Sequence, residues 1–444
     1  MKKLLYAILL LLPVFSACNV LDVKDENAIP ADMAFRNKSG IEKGIIGCYS
    51  TFQNLSYFGR NYLTIGDLAA DNLIHPADAT SADFAEIATH AILPENGTVE
   101  GLWGSLYEGI NNANNIIVKV PDMADMTDAE KGQALGELYF IRALNHFNLT
   151  NLFGAVPLKT KPTVGTGSLN AGRDAVEAVY AKVIEDLTYA SQNLPASSSS
   201  KTRATKYAAK ALLARVYLYK GDWDLAYQQA DDVINEGGYQ LPGNFADVFA
   251  ADGSPETIFE IDFSEVDRNR VAEYNFPKSL NGRREVAPAP DLINAFLPED
   301  ERKAVSIAYD GINAYANKYN DLSKGADNLI VLRLAEMYLI RAEAEVHLPD
   351  ADLGVVQNNI NVIRTRAGVP VVTASTEAEL TLAIEKERRL EFAFEGQRWY
   401  DLVRTGRATE ILPTVTNMTK TLFPIPSAEL QTNNSPEMIQ NPGY

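Results

Sequence analysis

The stretch Ala383 to Arg407, AIEKERRLEFAFEGQRWYDLVRTGR, sets Glu387, Glu391 and Glu395 at helical spacing on one stripe, with Arg388 and Arg398 beside them. Carboxylates grouped this way could divide acid and base work between them. Glycoside hydrolysis, for example, needs two facing each other across a cleft at roughly 5 to 9.5 Å. The same stretch carries Leu390, Phe392, Phe394, Trp399 and Leu402, whose apolar faces place it among other helices. It is accompanied by no nucleophile, metal set or phosphate cradle. The preferred reading is a structural network in which each partly buried charge finds a partner. Arg142, Arg341 and Arg364, set in apolar helices, suit the same role, with Arg142 expected against Glu137 or a glutamate of the 383–407 stretch.

Other reaction constellations are missing. His75, His90, His146 and His347 are far apart and lack the HExxH spacing that turns two imidazoles toward zinc. There is no GxSxG elbow, Walker loop or Rossmann glycine set. Asp67, Asp71 and Asn72 cluster the oxygens that hard cations take, but not at EF-hand spacing, and bracing of the adjacent helix is preferred. Neither a catalytic residue nor a metal or cofactor is expected.

Recognition chemistry remains. Sugar rings present apolar C–H faces that stack on Tyr, Trp and Phe, while Asn, Asp, Arg and His pair with hydroxyls around the edge. Two loop stretches carry such residues. The first has Tyr57, Phe58, Arg60, Asn61 and Tyr62, followed by His75, Asp78 and Phe84; the second has Arg268, Arg270, Tyr274, Asn275 and Phe276. For each of these residues separately, core or hairpin packing is at least as strong a reading as ligand contact, and the stretches act together only if loops cover one face of the scaffold. Trp103 and Trp399 are read as core, and Trp223 as the start of a repeat helix.

The elements that must position these groups read as helix pairs. Residues 129–152 and 174–194 repeat apolar residues at helical spacing, the second run stopping at Pro195. Ala214, Tyr217, Ala226 and Ala230 have the spacing of a tetratricopeptide hairpin, with Gly221-Asp222 as its turn. A third pair is expected over Leu329 to Val346 and Asp352 to Arg366, and the 383–407 stretch supplies a fourth helix. Between them, 55–100 and 237–325 are rich in Gly, Pro, Asn and Asp, and only short runs such as Thr257 to Phe263 alternate like strands. Ser197 to Ser200 reads as an interhelical loop. The expected fold is mainly α: tetratricopeptide-like helical hairpins, with long irregular loops and a few short strands on one face.

Several segments together resemble the SusD/RagB family, surface nutrient-binding lipoproteins of Bacteroidetes outer membranes. They are the start ending at Cys18 followed by LDVK, IGDLAADN at 65–72, WGSLYEGINNANNII at 103–117, and ELYFIRALNHFNLTNLFGAVPL at 137–158. AAKALLARVYLYKGDW at 208–223, VLRLAEMYLIRAEAE at 331–345, NNINVIRTRAG at 358–368, the 383–407 stretch, FPIPSAEL and QNPGY follow in the family's order. The resemblance implies a scaffold whose repeats dock a SusC-like TonB-dependent transporter and whose loops bind an oligosaccharide or similar nutrient, with peptide capture as the alternative within the family. A glycoside hydrolase is the alternative from another class. The family's ligand contacts lie in variable loops, so none transfers to this chain by motif.

The N-terminus carries Lys2 and Lys3, an apolar run from Leu4 to Leu12, and Phe15-Ser16-Ala17-Cys18, the layout of a secretory signal. The run is too short for the roughly 20 residues a bilayer span needs. Residues 1–17 are therefore expected to be a lipoprotein signal and Cys18 the lipidated start of one domain over 18–444, with halves 18–236 and 237–444. Phe15 departs from the Leu that more often holds its place. Cys48 is the only other cysteine, so no intramolecular disulfide is expected. The net charge is −18, or −20 once Lys2 and Lys3 are removed. Nucleic acid would be repelled, because no Lys/Arg-rich run appears along the chain to outweigh that field.

Overall fold

The computed structural model of the chain describes residues 34–165 and 169–444, so the signal-like segment and Cys18 lie outside the described residues. Helices dominate. The N-terminal part comprises α1 (Lys38–Ser50), α2 (Asn61–Leu68), α3 (Ala82–Thr89), α4 (Gly97–Ile117) and α5 (Asp128–Phe153). Then come α6 (Val176–Asn193), α7 (Lys206–Lys220) and α8 (Trp223–Glu236). From α4 to α8 each helix packs on the next. Local chemistry sets their ends. A capping box of Thr127 and Glu130 starts α5, and Thr205 accepts from the Ala208 N–H to start α7. Gly221, at φ 79°, stops α7 and turns the chain into α8, as the hairpin spacing predicts. Ala214, Ala226 and Ala230 are fully buried where the two helices meet.

Residues 237–328 are inserted without interrupting the stack, because α8 packs directly on the helix that follows them. They hold α9 (Val271–Asn275), α10 (Pro290–Ala295) and α11 (Glu301–Ser306), after which the scaffold resumes with α12 (Leu334–Val346), α13 (Leu353–Arg366) and α14 (Glu377–Glu391). Among the described residues, six short strands form three antiparallel pairs. β1 (Leu73–Ile74) pairs with β3 (Ala287–Pro288), β2 (Thr257–Ile261) with β6 (Leu329–Arg333), and β4 (Ile307–Asp310) with β5 (Asn313–Ala316). Two expectations need correction here. Leu329 to Arg333 is strand, held by β2, and helix begins only at Leu334. The 55–100 region is not wholly irregular, since α2 and α3 lie within it.

The 383–407 stretch is not one helix either. It breaks after Glu391, and α15 (Arg398–Arg404) starts beyond a turn in which Phe394 and Gly396 have φ of 68° and 73°. Glu395 therefore leaves the helical stripe, yet it stays in the same charge network. Arg333 donates to Glu256 at 2.7 Å, Glu391 at 2.5 Å and Glu395 at 2.8 Å. Arg302 meets Asp300 at 2.8 Å, Glu387 at 2.5 Å and Glu391 at 3.2 Å. Arg366 pairs with Glu256 and Glu391, and the Lys318 ammonium donates to Glu395 at 2.7 Å. All are buried. Burial alone would raise the Glu391 pKa, but Arg366, Arg333 and Arg302 outweigh it and hold the carboxyl well below its ordinary range. The structural reading of these carboxylates stands.

Arg142 departs from expectation: it pairs with Asp186 through two bonds of 2.8 Å, whereas Glu137 is taken by Arg203. Asp67 and Asp71 are braces. Asp67 accepts from Asn72 at 2.7 Å and from the Gly396 N–H at 2.8 Å, while Asp71 binds Arg398 at 2.7 Å. Trp399 is fully buried and Trp103 nearly so. Cys48 is a buried free thiol whose pKa burial pushes up to about 12, so it is an inert core residue.

Candidate ligand-binding face

Three segments far apart in sequence meet one another. The Arg270 N–H donates to the Gly59 carbonyl at 2.8 Å, and the Lys278 ammonium donates to the Asp78 carbonyl at 2.9 Å. The Glu285 carboxylate accepts from the Thr80 N–H and hydroxyl at 2.8 and 2.7 Å and from the Ser81 N–H at 2.9 Å. His75 Nδ1 lies 2.9 Å from the Glu285 carbonyl. With the β1–β3 pair, these bonds fix stretches 57–62, 75–84 and 268–285 against one another. The convergence of the two aromatic-bearing stretches is therefore real.

The aromatic rings themselves are mostly consumed by packing. Tyr57, Phe58 and Tyr62 pack with Phe52 in the core. Asn148 bridges the hydroxyls of Tyr57 and Tyr62 at 2.6 and 2.8 Å. Phe84, Tyr274 and Phe276 are buried as well. What reaches solvent from the same stretches is charged or polar: Arg268 and Asp78 are exposed, and Arg60, His75 and Arg270 are half-buried.

Tyr274 is the centre of this face. Its ring has the guanidinium carbons of Arg60, Arg283 and Arg270 at 4.2, 4.7 and 5.5 Å from its centroid, and Phe84 packs at 6.0 Å. Cations over an aromatic face are attracted by the ring quadrupole. They also repel one another. Burial first, and then Arg270 and Arg283, lower the Arg60 pKa.

Sequence reasoning missed the hairpin that packs beside this face and the exposed tyrosine it carries. The β4–β5 hairpin packs beside α9, the Ser279 hydroxyl donates to Asp310, and Tyr315 lies 4.5 Å from Phe276. Tyr309 is 53 % exposed and Ile312, at the hairpin tip, 96 %. The signal was present in IAYDGINAYA: alternation interrupted by Asp310-Gly311, with Gly311 at φ 58° as a two-residue turn requires. Arg283 and Arg284 were missed because this basic pair sits in a polar loop with no aromatic residue next to it in sequence.

A cavity of about 400 Å³ lies elsewhere, between the α7–α8 hairpin, α12 and α14, lined by Trp223, His347, Leu382 and Arg388. Apart from Arg388 Nη1, its polar groups are largely paired internally, with Arg404 on Glu343 and Asp401, and Arg388 on Asp401. Among the described residues no group of His, Cys, Asp and Glu is arranged to hold a metal ion, and no helix is long and apolar enough to cross a membrane.

Comparison with known proteins agrees with this architecture. Residues 19–218 match a family model described as starch-binding and associating with the outer membrane, and residues 308–421 match that of the SusD family. SusD-like protein P2 of Formosa agariphila is 27 % identical, with all of both chains covered. A SusD superfamily protein from Bacteroides vulgatus superposes with a TM-score of 0.84 at 21 % identity, over 92 % of this chain and 100 % of that one. A laminarin-binding SusD-like protein gives 0.80 at 26 % identity, with the same coverage. Matching models at both ends, full-length relatives and a shared fold mean that the chain belongs to the SusD/RagB family.

Proposed function

We propose that residues 18–444 act as one cell-surface unit, tethered to the outer membrane by a lipid on Cys18. Its loop face binds an oligosaccharide and passes it to a SusC-like TonB-dependent transporter docked on the helical repeats. The observation that carries this reading is the meeting of stretches 57–62, 75–84 and 268–285, with the β4–β5 hairpin that bears the exposed Tyr309 packed on the last of them. Loops held by a rigid scaffold are where binding groups are displayed, and an open tyrosine ring suits the C–H face of a sugar. The laminarin-binding relative supports a glycan as ligand. No reaction is assigned, since the clustered carboxylates of the C-terminal network are ion-paired and buried.

Calorimetric titration of the purified chain against glycan and peptide sets, with product sizing, tests the reading. Glycan binding with unchanged chain length is expected. Turnover that disappears on replacing one carboxylate, or binding of peptides alone, would overturn it. Outer membranes solubilised in mild detergent should return a large barrel in near-equal amount. Recovery of the chain alone at several salt concentrations would remove the transporter from the proposal.

A further inference from the structure

The face around Tyr274 carries an imbalance of charge that the chain as a whole does not. Five cations, Arg60, Arg270, Arg283, Arg284 and Lys278, crowd the loop junction. Among the described residues the carboxylates within ion-pairing reach of them are Glu273, Asp78 and Glu285, a local excess of two positive charges in a chain of net −18. Glu285 is moreover a weak partner. It stands 3.5 Å from Arg283 while its oxygens accept three bonds from Thr80 and Ser81. Among the described residues Arg60 has no carboxylate within that reach; its Nε donates to Asn61 at 2.7 Å, which leaves both terminal nitrogens of the fork for another acceptor.

Gathering three guanidiniums on one ring costs repulsion energy, and it is relieved when an anion sits among them. Guanidinium forks match carboxylate and sulfate oxygens in geometry, and such charge-assisted bonds are about twice as strong as neutral ones. The patch is assembled from 60, 270 and 278–284, so no basic run marks it in the sequence. The global negative field does not forbid it. At 0.15 M salt, charges more than about 8 Å away are largely screened, whereas an anion in contact with the patch is not.

The geometry points to an acidic glycan as the ligand class of this face: a sugar bearing a carboxylate or sulfate that Arg60 and Arg283 bind. This rests on the glycan-binding reading above, and the experiment separates the two. The purified chain is titrated at 0.15 M salt with oligogalacturonate, a sulfated galactan oligosaccharide and a neutral laminari-oligosaccharide of equal length. Preference for the uronate, the sulfated glycan or both over the neutral one is expected, falling as salt rises, and the first two arms tell carboxylate from sulfate. Arg60→Gln and, at the more exposed position, Arg283→Gln should each cut acidic-glycan affinity about tenfold while the melting point of the second holds. Equal or tighter binding of the neutral glycan, or an unchanged preference in both variants, overturns the acidic-ligand inference and leaves glycan binding standing. Binding of none of the three overturns both.

Discussion

Gly66 and Gly396 touch backbone to backbone: a Cβ added to Gly66 would lie 2.1 Å from the Gly396 carbonyl oxygen. The contact joins IGDLAADN to the C-terminal turn, and the 2.8 Å bond from the Gly396 N–H to Asp67 locks it. Gly66→Ala must move one backbone or the other, and overpacking of this kind typically costs about 1–3 kcal/mol. A lower melting point by calorimetry is the expected result. Gly104→Ala, on α4 with no atom within 4 Å of its added Cβ, should hold or gain stability.

Glu391 is expected to be the most damaging carboxylate to neutralise. Removing one partner of a buried pair costs about 3–5 kcal/mol, because the charges left behind stay desolvated. Its folded pKa lies below the value near 4.3 of the unfolded chain, so its stabilisation is complete above about pH 5 and is lost progressively as pH falls further. Urea unfolding of wild type and Glu391→Gln at pH 7 and 3.5 should show the difference between them shrinking at the lower pH.

Asp67 titrates the other way. Burial raises its pKa to about 6, against the bonds from Asn72 and Gly396 that favour the anion. The folded chain then keeps a proton that the unfolded chain releases near pH 4, so this site lowers stability as pH rises from about 4 to 6. Asp67→Asn should remove that slope. Denaturation midpoints across pH 4 to 7, compared with wild type, measure it.

Tyr309 and Tyr57 should separate ligand contact from packing. Tyr309→Ala, on an exposed strand, should weaken glycan binding about five- to tenfold, on the order of 1 kcal/mol, with an unchanged melting curve. Tyr57→Ala removes a fully buried ring and the 2.6 Å bond from Asn148, so a loss of roughly 3–5 kcal/mol of stability is expected. Titration and melting of both variants decide.

The scaffold was legible because its signals are local: Gly221 stops α7, small residues at repeat spacing let α8 approach, and Thr127 with Glu130 starts α5. The helix break near Gly396 was not, because its cause is a distant partner, Gly66. Arg142 was assigned to the wrong carboxylate for the same reason: Asp186 and Glu137 are equally acidic in sequence, and only packing chooses between them. At the loop face, the two stretches singled out in the sequence do converge, but their aromatic rings are mostly buried in packing. Sequence cannot tell which side of a ring is already covered, and Arg60, Arg283 and Phe84 cover Tyr274.

The buried charge network also imposes an order of assembly. Glu391 and Glu395 are synthesised after every cation they neutralise, namely Arg302, Lys318, Arg333 and Arg366. Chains fold as they emerge, N-terminal part first, and the α4–α8 stack is built from near neighbours that can pair early. The later half has no such freedom. Until α14 arrives, closing it would bury guanidiniums without most of their counter-charges, so a chain cut short before residue 391 is expected to stay open and to be digested faster by protease than the full chain.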